Sequence, residues 1–453
     1  MVNGLSSIVN KRGYMNRTKN ARVCIIGAGP SGITAGKNLI QAGITNFVIY
    51  EKNNQVGGNW VFNDKTKHSS VYETTHLISS RRYSEYIDYP MPADYPDYPS
   101  HTQMLAYFQG YAEHFGVMPY IQFNTEVSKA EELSDKTWKI SLGNGKVETF
   151  DFLLIANGHH WNPRLPHYEG EFMGEFIHSH EYKRAAPFAG KRVLVIGAGN
   201  SGCDISVETA RVSAFTAMSM RRGQYIVPKF VFGQPPDVVN GRFYWLPAWL
   251  RLPFFYLTLK LAVGNYEDYG LPQPKHGILN AHVTNNSEVL YAIRHGKVHV
   301  RPDIKRFNGK QVEFLDGRVE EFDAIIAATG FKISLPFFDP SLLSIEEGVP
   351  PLYKNVFHPD HPSLFFIGLV QPLGSIWPLS DLHAKLAANF ITGSYNLPKD
   401  VRQRIARHIE YMKKHYVNSP RHSVEVEFHP HIVELKREIP KSAPEWQHGH
   451  SDR

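Results

Sequence analysis

The sequence predicts an α/β fold built from two copies of one plan, and two repeated motifs support this prediction. A short apolar run leads into a GxGxxG motif twice, as VCIIGAGPSG at residues 23–32 and as VLVIGAGNSG at 193–202. An apolar segment that ends in glycine also occurs twice, as FDFLLIANG at 150–158 and as FDAIIAATG at 322–330. The glycine motifs are 170 residues apart and the apolar segments 172. Because two independent features share nearly the same offset, the chain contains an internal duplication.

Each copy has the order expected of a nucleotide-binding βαβ unit. A strand runs into the glycine turn, a helix follows and a further strand comes later, which gives parallel sheets with helices on their faces. The sequence therefore predicts two Rossmann-like dinucleotide-binding domains, the second inserted in the first. The first domain is expected to comprise residues 20–170 and 325–445, because the chain after the second ATG would otherwise belong to no domain. Residues 171–324 are the predicted second domain, with an insertion at 230–290, and residues 1–19 are a predicted flexible tail.

The first motif predicts a pocket for a dinucleotide with a free ribose 2′-hydroxyl. Its glycines let the backbone approach a pyrophosphate, which lies at the positive end of the following helix. An acidic residue at the end of the next strand binds ribose hydroxyls in such folds, and Glu51 lies there, 24 residues after Gly27. The glycines of VGGNW at 56–60 suit a tight loop beside a ligand. The residues expected to bind this dinucleotide are Gly27, Gly29, Ser31, Gly32, Glu51, Gly58, Asn59 and Trp60.

The second motif predicts a different dinucleotide, because the charge at the matching position is reversed. At the same offset of 24 residues the second copy has Arg221, followed by Arg222. A 2′-phosphate needs cations and repels a carboxylate, so SMRRG at 219–223 indicates NADP, with a solvated arginine pair as the alternative. The residues expected to bind NADP are Gly197, Gly199, Asn200, Ser201, Gly202, Ser219, Arg221 and Arg222.

Composition narrows the class of protein. The 453-residue chain has a net charge of +6, but its basic residues are mixed with nearly as many acidic ones, which disfavours nucleic-acid binding. The only cysteines, Cys24 and Cys203, form no CxxC pair, which argues against a disulfide framework and against a dithiol active site. The N-terminal residues lack the apolar run of a secretory signal. We therefore expect a cytoplasmic protein.

The segment 243–264, FYWLPAWLRLPFFYLTLKLAVG, is apolar enough to suggest a membrane span. Arg251 and Lys260 argue against one, because each costs about 2.5 to 3.5 kcal/mol near a bilayer centre. We expect no transmembrane span and favour buried packing within the insertion. A peripheral contact with a membrane surface, or a wall of a substrate channel, is the alternative.

These motifs together resemble the flavin-containing monooxygenases over nearly the whole chain. FMGEFIHSHEY matches that family's FxGxxxHxxxY/F signature through Phe172, Gly174, His178 and Tyr182, just before the second glycine motif. GNSGCDIS, the IAATG strand and FFIGLVQPLGSIWPLSDLHAK from residue 365 are also similar to the family. The related Baeyer-Villiger monooxygenases usually have Trp where Tyr182 stands, so the resemblance favours oxygenation of heteroatoms. It also implies that His178 is a structural residue at the domain junction, so no metal site is expected.

The resemblance implies an NADPH- and O2-dependent flavoprotein monooxygenase, with FAD in the first domain and NADPH in the second. In that family hydride passes to the flavin, O2 forms a flavin C4a-hydroperoxide, and soft nucleophiles attack the distal oxygen, so the cofactor carries the chemistry. The implied substrates are small amines and sulfides. By the same resemblance Thr329, Gly330 and Gln371 join the FAD-binding residues, and a homo-oligomer is expected.

The sequence leaves the oxygenated atom and two catalytic candidates open. A Baeyer-Villiger oxygenase that acts on ketones, an NADPH oxidase that releases H2O2 and a non-catalytic dinucleotide sensor are the alternatives. Gln371, in the VQPLG loop, is a candidate neighbour of the flavin ring, and a loop hydrogen bond is its alternative role. Many relatives place an asparagine beside the flavin where an ungapped match gives Ile78, so His76 is the candidate substitute.

Overall fold

The computed structural model describes residues 19–63, 65–342, 348–416 and 423–441, so the predicted tail lies almost wholly outside the described residues. The helices are α1 Pro30–Gln41, α2 Arg81–Ser84, α3 His101–His114, α4 Asn200–Ala210, α5 Pro236–Phe243, α6 Ala248–Val263, α7 Glu288–Arg294, α8 Trp377–Ile391, α9 Val401–His415 and α10 Phe428–Glu438. The strands are β1 Val23–Ile26, β2 Phe47–Tyr50, β3 Ile121–Gln122, β4 Val127–Glu132, β5 Trp138–Leu142, β6 Val147–Phe150, β7 Phe152–Ile155, β8 Asn162–Pro163, β9 Glu175–His178, β10 Arg192–Ile196, β11 Phe215–Ser219, β12 Ile226–Val227, β13 Thr284–Asn285, β14 Val298–Arg301, β15 Ile304–Asn308, β16 Gln311–Phe314, β17 Val319–Glu321, β18 Ala324–Ala327, β19 Phe331–Lys332, β20 Leu364–Phe366, β21 Gln371–Pro372 and β22 Glu425–Val426.

Two five-stranded parallel sheets organise the molecule. The first sheet has the strand order β20-β7-β1-β2-β3 and the second has the order β14-β11-β10-β18-β9. Every pairing within these two sheets is parallel. The structure confirms the predicted α/β class with two Rossmann-type sheets. Small antiparallel sheets, β4-β5-β6 and β15-β16-β17, accompany them.

The apolar runs of the two repeats form the central strands because these strands are covered on both faces. All four residues of β1, β7 and β18 are buried. A parallel strand with helices on both sides of its sheet needs a continuous apolar run rather than an alternating one. The sequence has such runs at these positions.

The repeated Phe-Asp pair before β7 and β18 has a structural reason. The Asp151 carboxylate accepts the backbone N–H of Arg22, just before β1, at 2.7 Å. The Asp323 carboxylate accepts the backbone N–H of Arg192, at the start of β10, at 3.0 Å. In both copies this aspartate therefore ties the start of the closing strand to the start of the first strand.

The predicted return to the first domain at residue 325 is too early. That residue lies inside β18, which pairs with β10 on one side and with β9 on the other in the second sheet. The chain joins the first sheet again only with β20, which pairs with β7. The duplication itself explains the correction, because the second ATG strand has the same place in its sheet as the first has in its own.

In the insertion, α6 and the turn before it have surfaces that are largely apolar and exposed. The exposed fraction is 71% for Trp245, 72% for Trp249 and 77% for Leu261. The expectation of buried packing is wrong for these side chains, because α6 is apolar on most faces and can bury only one of them. Within the described ranges, no helix has both the length and the apolar character to cross a bilayer.

Candidate functional site

A cavity of about 650 Å³ lies where the carboxyl ends of β1 and β10 face each other. In open parallel sheets, ligands bind outside the carboxyl ends of the strands. The predicted residues that line this cavity are Gly27, Gly29, Ser31, Glu51, Gly58, Asn59, Trp60, His76, Gly199, Asn200, Ser201, Gly330 and Gln371. The predicted residues outside its lining are Gly32, Gly197, Gly202, Ser219, Arg221, Arg222 and Thr329. The structure therefore brings parts of both glycine motifs to one space.

Four motif glycines are required by the packing of the chain on itself. Gly27 and Gly197 have φ values of +101° and +106°, which side chains rarely adopt. A Cβ on Gly32 would lie 1.8 Å from the Gly27 carbonyl oxygen, and a Cβ on Gly202 would lie 2.0 Å from the Gly197 carbonyl oxygen. These glycines let each helix pack closely on its strand, so by themselves they do not indicate a ligand.

Gly29 is different, because the protein's own packing does not require a glycine there. Its φ of −72° suits any residue, and an added Cβ would make one ordinary contact, 3.6 Å from the Gly58 Cα. Gly29 caps the N-terminus of α1 and lines the cavity. The first N–H groups of a helix have no partner within it and attract phosphate. A pyrophosphate in this cradle would occupy the space that a side chain at residue 29 would fill, so the site fits a dinucleotide.

Glu51 lies at the end of β2 and turns its carboxylate toward the first motif. Its two oxygens accept the backbone N–H of Ala28 at 2.7 Å and that of Asn53 at 2.8 Å. The residue is buried and lines the cavity. The carboxylate is thus fixed beside the glycine turn, where the sequence predicts the ribose of the first dinucleotide.

The loop after β2 and the helix α8 complete the first site. Gly58, Asn59 and Trp60 form a short 3-10 turn, and the Asn59 side chain accepts the backbone N–H of Ser70 at 2.7 Å. The Ser31 hydroxyl lies 3.0 Å from the Ser380 hydroxyl of α8. The hydrogen bonds of the Asn59 and Ser31 side chains hold this wall of the cavity in place.

Thr329 does not reach the cavity. Its hydroxyl donates to the Arg164 carbonyl at 2.5 Å. This hydrogen bond joins the two segments of chain that connect the two sheets. Gly330, the next residue, does line the cavity. A ligand contact from this ATG segment would therefore come from the glycine rather than from the threonine side chain.

The second motif presents the start of α4 to the cavity. Gly199 caps this helix with a φ of −74°, close to that of Gly29 in the first copy. Asn200 and Ser201 form its first turn and line the cavity, and the Asn200 side chain accepts the backbone N–H of Asn285 at 2.9 Å. The second site therefore has the same helix cradle as the first.

The arginines predicted to bind the 2′-phosphate follow β11 at the outer end of the second site. Arg221 and Arg222 are both exposed. In the part of the chain that the structure describes, neither guanidinium pairs with a carboxylate. Both charges are therefore available to an anion from solution.

The position of Ser219 does not support its predicted role in NADP binding. It is buried at the end of β11, and its hydroxyl donates to the Pro302 carbonyl at 2.7 Å. A strand-end serine resembles a ligand residue in sequence, but here Pro302, which follows the adjacent strand β14, provides its acceptor.

Gln371 is held by two histidines. Its Oε1 lies 3.3 Å from the His159 Nε2 and 3.1 Å from the His160 Nε2, and because an amide oxygen only accepts, both imidazoles donate. Burial lowers the pKa of His159, so this ring is neutral at physiological pH. The Gln371 amide nitrogen has no acceptor among the described residues, so it can donate to a ligand in the cavity.

His76 lines the cavity beside Ile78, and both of its ring nitrogens have partners. Its Nδ1 lies 3.0 Å from the Thr74 carbonyl, which can only accept, so Nδ1 carries the proton. Its Nε2 then accepts from the Lys229 ammonium, with which it is in contact. The imidazole is thus a fixed part of the wall, and its role toward a ligand stays a prediction.

The signature segment before the second motif is structural in the way that the resemblance implies. His178 is buried, which lowers the pKa of its imidazole to about 4, and its Nδ1 accepts the backbone N–H of His180 at 3.1 Å. The Tyr182 hydroxyl donates to the Glu208 carboxylate on α4 at 2.8 Å. No group of His, Cys, Asp or Glu side chains suited to a metal ion occurs among the described residues.

Several polar residues of the cavity wall are missing from the sequence prediction, among them His159, Asp204 and Glu425. His159 directly follows the ANG segment, so the strand-end rule would have indicated it. Asp204 lies within GNSGCDIS, but nothing in that motif shows which side of α4 faces the cavity. Glu425 reaches the wall only because β22 pairs with β21, and no local pattern predicts that pairing.

Comparisons with known proteins agree with this arrangement. A family model described as flavin-binding monooxygenase-like matches residues 20–445. Flavin-containing monooxygenase 5 of Homo sapiens is 33% identical over 438 residues, which cover 91% of this chain and 82% of that protein.

Two solved structures show the same fold at lower identity. S-allyl-L-cysteine S-oxygenase from Allium sativum superposes with a TM-score of 0.71 and 23% identity, covering 94% of this chain and 90% of that one. The open structure of cyclohexanone monooxygenase has a TM-score of 0.71 and 18% identity, covering 93% of this chain and 98% of that one. The extent of the family match and the two dinucleotide cradles lead to one conclusion: the chain belongs to the flavin-binding monooxygenase family, whose members are NADPH-dependent oxidoreductases that use FAD.

Proposed function

We propose that this protein uses NADPH and O2 to oxygenate soft nucleophiles, namely an amine nitrogen or a sulfide sulfur. The observation that carries the proposal is the single cavity lined by both glycine motifs, because it gives the two cofactors and a small substrate one reaction space. The similarity to a plant S-oxygenase supports a heteroatom as the site of oxygenation.

The first site would hold FAD through main-chain and carboxylate contacts. The N-terminal N–H groups of α1 would face the pyrophosphate across Gly29, and Glu51 would accept from the ribose hydroxyls. Bound FAD supplies the redox and oxygen chemistry, so the protein needs no nucleophilic side chain of its own. The tasks left to the chain are binding, orientation and the exclusion of water.

The second site would hold NADPH through the start of α4 and through the arginines after β11. Asn200 and Ser201 would lie at the pyrophosphate, while Arg221 and Arg222 would pair with the 2′-phosphate. In the shared part of the cavity, the amide N–H group of Gln371 is oriented by His159 and His160 to donate a hydrogen bond. Gln371 and His76 both line the cavity, and we assign both to the wall around the reacting atoms.

The second candidate function is oxygenation of ketones. Similarity of fold to cyclohexanone monooxygenase supports it. Tyr182 favours heteroatoms, since the Baeyer-Villiger relatives usually carry Trp at that signature position. In this chain the tyrosine hydroxyl bonds Glu208 and does not line the cavity, so it affects the reaction only through the fold.

A substrate panel tests the proposal. The purified protein loaded with FAD would receive NADPH and O2 together with a tertiary amine, a thioether or a cyclic ketone, and oxygenated product and H2O2 would be measured per NADPH consumed. N-oxide or sulfoxide close to one per NADPH supports the proposal, and lactone from the ketone favours the second candidate. H2O2 alone indicates an oxidase, and no NADPH consumption indicates a dinucleotide sensor.

The exposed aromatic surface of the insertion indicates that the protein has a further binding partner. Trp245 and Trp249 are exposed between basic residues such as Arg242 and Lys260, and amphipathic aromatic rings beside cations are typical of membrane interfaces. We propose that this surface contacts a membrane peripherally, and that the protein otherwise remains cytoplasmic. Co-sedimentation with anionic vesicles should fall when both tryptophans are changed to serine. If the same change instead converts an oligomer to a monomer, the surface is the interface of a homo-oligomer.

A further inference from the structure

The segment of residues 69–76, which we call the bridging segment, belongs to the first part of the chain but bonds mainly to the second. The Glu73 N–H donates to the Lys183 carbonyl at 2.9 Å. The Lys183 ammonium donates to the Ser69 carbonyl at 2.8 Å and to the Val71 carbonyl at 3.1 Å. Lys183 lies just after the signature segment, in the connection that leads to β10 of the second sheet. These bonds therefore hold the bridging segment to that connection.

Two carboxylates of α4 face the bridging segment, one helical turn apart. Asp204 accepts from the Tyr72 hydroxyl at 2.9 Å. Glu208 is in contact with the Thr74 hydroxyl and also accepts from the Tyr182 hydroxyl at 2.8 Å. The helix that begins at the second glycine motif thus presents acceptors to donors of the bridging segment.

The bond between Tyr72 and Asp204 is set in the cavity wall. Both residues line the cavity, and the second Asp204 oxygen accepts from the Asn286 side chain at 2.6 Å. Burial raises the pKa of Asp204, while the nearby Lys229 and the hydrogen bonds oppose the shift. A carboxylate with both oxygens satisfied in a buried position fixes its partners in space.

We propose that Asp204 is a positioning residue that holds the bridging segment against α4, beside the contact of Glu208 with Thr74, and thereby sets the distance between the two cofactor sites. The inference rests on the proposed function, since its consequence is the rate at which hydride crosses the cavity. The Ser70 N–H of the bridging segment donates to the Asn59 side chain of the first site, so the connection runs from α4 to the loop after β2. A misplacement of about 1 Å can cost about a hundredfold in rate, so such a connection matters.

The test uses Tyr72→Phe, which removes one hydroxyl, and Asp204→Leu, which removes both acceptors. The matched control is Tyr395→Phe, which removes a tyrosine–glutamate bond of 2.8 Å to Glu438 that lies away from the cavity. Two quantities are measured on the FAD-loaded protein. One is hydrogen exchange of the amides of residues 69–76, and the other is the rate constant of FAD reduction by saturating NADPH without O2, together with the NADPH Kd.

In both variants we expect exchange in the bridging segment to be about tenfold faster. Reduction should be about tenfold slower or more, with the NADPH Kd within about twofold of the wild type. Asp204→Asn should recover much of the rate lost in Asp204→Leu, since its amide can donate to Tyr72 while its oxygen still accepts from Asn286. Tyr395→Phe should change neither quantity.

Unchanged exchange or an unchanged reduction rate in Tyr72→Phe and Asp204→Leu would overturn the proposal. A parallel loss of NADPH affinity and rate would also overturn it, because it would show a binding role. If the wild-type protein itself is not reduced by NADPH, the proposed function fails. The hydrogen-exchange data alone then decide whether Asp204 holds the bridging segment.

Discussion

The two halves of the molecule share a backbone and differ in the charge placed on it. The first glycine has a φ of +101° in one half and +106° in the other, and the helix caps Gly29 and Gly199 have ψ values of −177° and −179°. After the second strand, however, one half has Glu51 directly at the strand end, whereas the other has Met220 at that place and Arg221 one residue further on. The two halves thus share the backbone of a dinucleotide site, and the charge that follows the second strand is the difference that we propose selects the dinucleotide.

The surroundings of the two glycine helices differ as well. Every residue of α8 is buried, and its Asp381 accepts from Thr34 at 2.6 Å and from Asn38 at 2.7 Å on α1 and pairs with Lys37. The helix α4 instead turns Asp204 toward the bridging segment. The glycine helix of the first half is thus packed into the core, whereas that of the second half lies at the junction with the bridging segment.

The largest expected effect is at Gly29, where the comparison separates ligand space from protein packing. Gly29→Val should abolish FAD binding but leave the fold intact, because its side chain would fill the cradle while its Cβ would make only ordinary contacts with Gly58. Flavin absorbance after reconstitution and the Tm of the apoprotein measure the two effects. Gly32→Ala is the opposite control and should destabilise the fold, since its Cβ would lie 1.8 Å from the Gly27 oxygen. A yellow Gly29→Val protein would remove the first cradle from the account.

The next effect concerns the charge that distinguishes the halves. Arg221→Ala should weaken NADPH about ten- to a hundredfold and leave NADH unchanged, because only NADPH carries the 2′-phosphate. Titration of the FAD-loaded protein with both nucleotides gives the two Kd values. Arg294→Ala, an exposed arginine on α7, is the control and should change neither. Equal losses for both nucleotides would show that Arg221 has a structural role.

A smaller effect is expected at the corresponding carboxylate of the first half. Glu51→Gln should lower FAD affinity about tenfold, since the new amide group would face a backbone N–H that the carboxylate now accepts. Equilibrium binding of FAD to the apoprotein measures it. Glu438→Gln changes a carboxylate that bonds Tyr353 and Tyr395 outside the cavity lining, so its FAD affinity should match the wild type. If both variants lose FAD equally, the effect of Glu51 comes from general destabilisation.

The smallest effect is expected at Ser219. Ser219→Ala should leave the NADPH Kd within about twofold, because its hydroxyl bonds the Pro302 carbonyl away from the cavity, and should lower stability by about 1 kcal/mol. Calorimetry and chemical denaturation give these two values. A tenfold loss of NADPH affinity would restore the sequence-based assignment of this serine.

The parts of the account that the sequence could predict are those set by local pattern. The apolar runs, the glycine turns and the duplicated Asp before the closing strands depend on neighbouring residues and on fixed spacing, so α/β class and both dinucleotide sites could be derived from them. Glu51 could be found because the strand length fixes its offset from the first glycine. The same offset in the second half gives Arg221, which lies one residue beyond Met220, the structural equivalent of Glu51.

The parts that the sequence could not predict depend on contacts between distant segments. Gln371 is oriented by His159 and His160, and Tyr72 bonds Asp204, in each case across more than 100 residues of chain. The acceptor of the Ser219 hydroxyl is a carbonyl just after β14, and the exposure of the apolar helix α6 depends on which segments pack against it. Periodicity carries no information about such partners.

The central claim is that the two halves of the molecule line one cavity and that oppositely charged residues select the two dinucleotides. The reduction of bound FAD without O2 tests this claim. The FAD-loaded protein would be mixed rapidly with NADPH or with NADH at equal concentration below saturation, and the loss of oxidised-flavin absorbance followed. The account predicts rapid reduction by NADPH and reduction by NADH that is slower by about tenfold or more. Failure of NADPH to reduce the flavin, or equal rates with the two nucleotides, would contradict it.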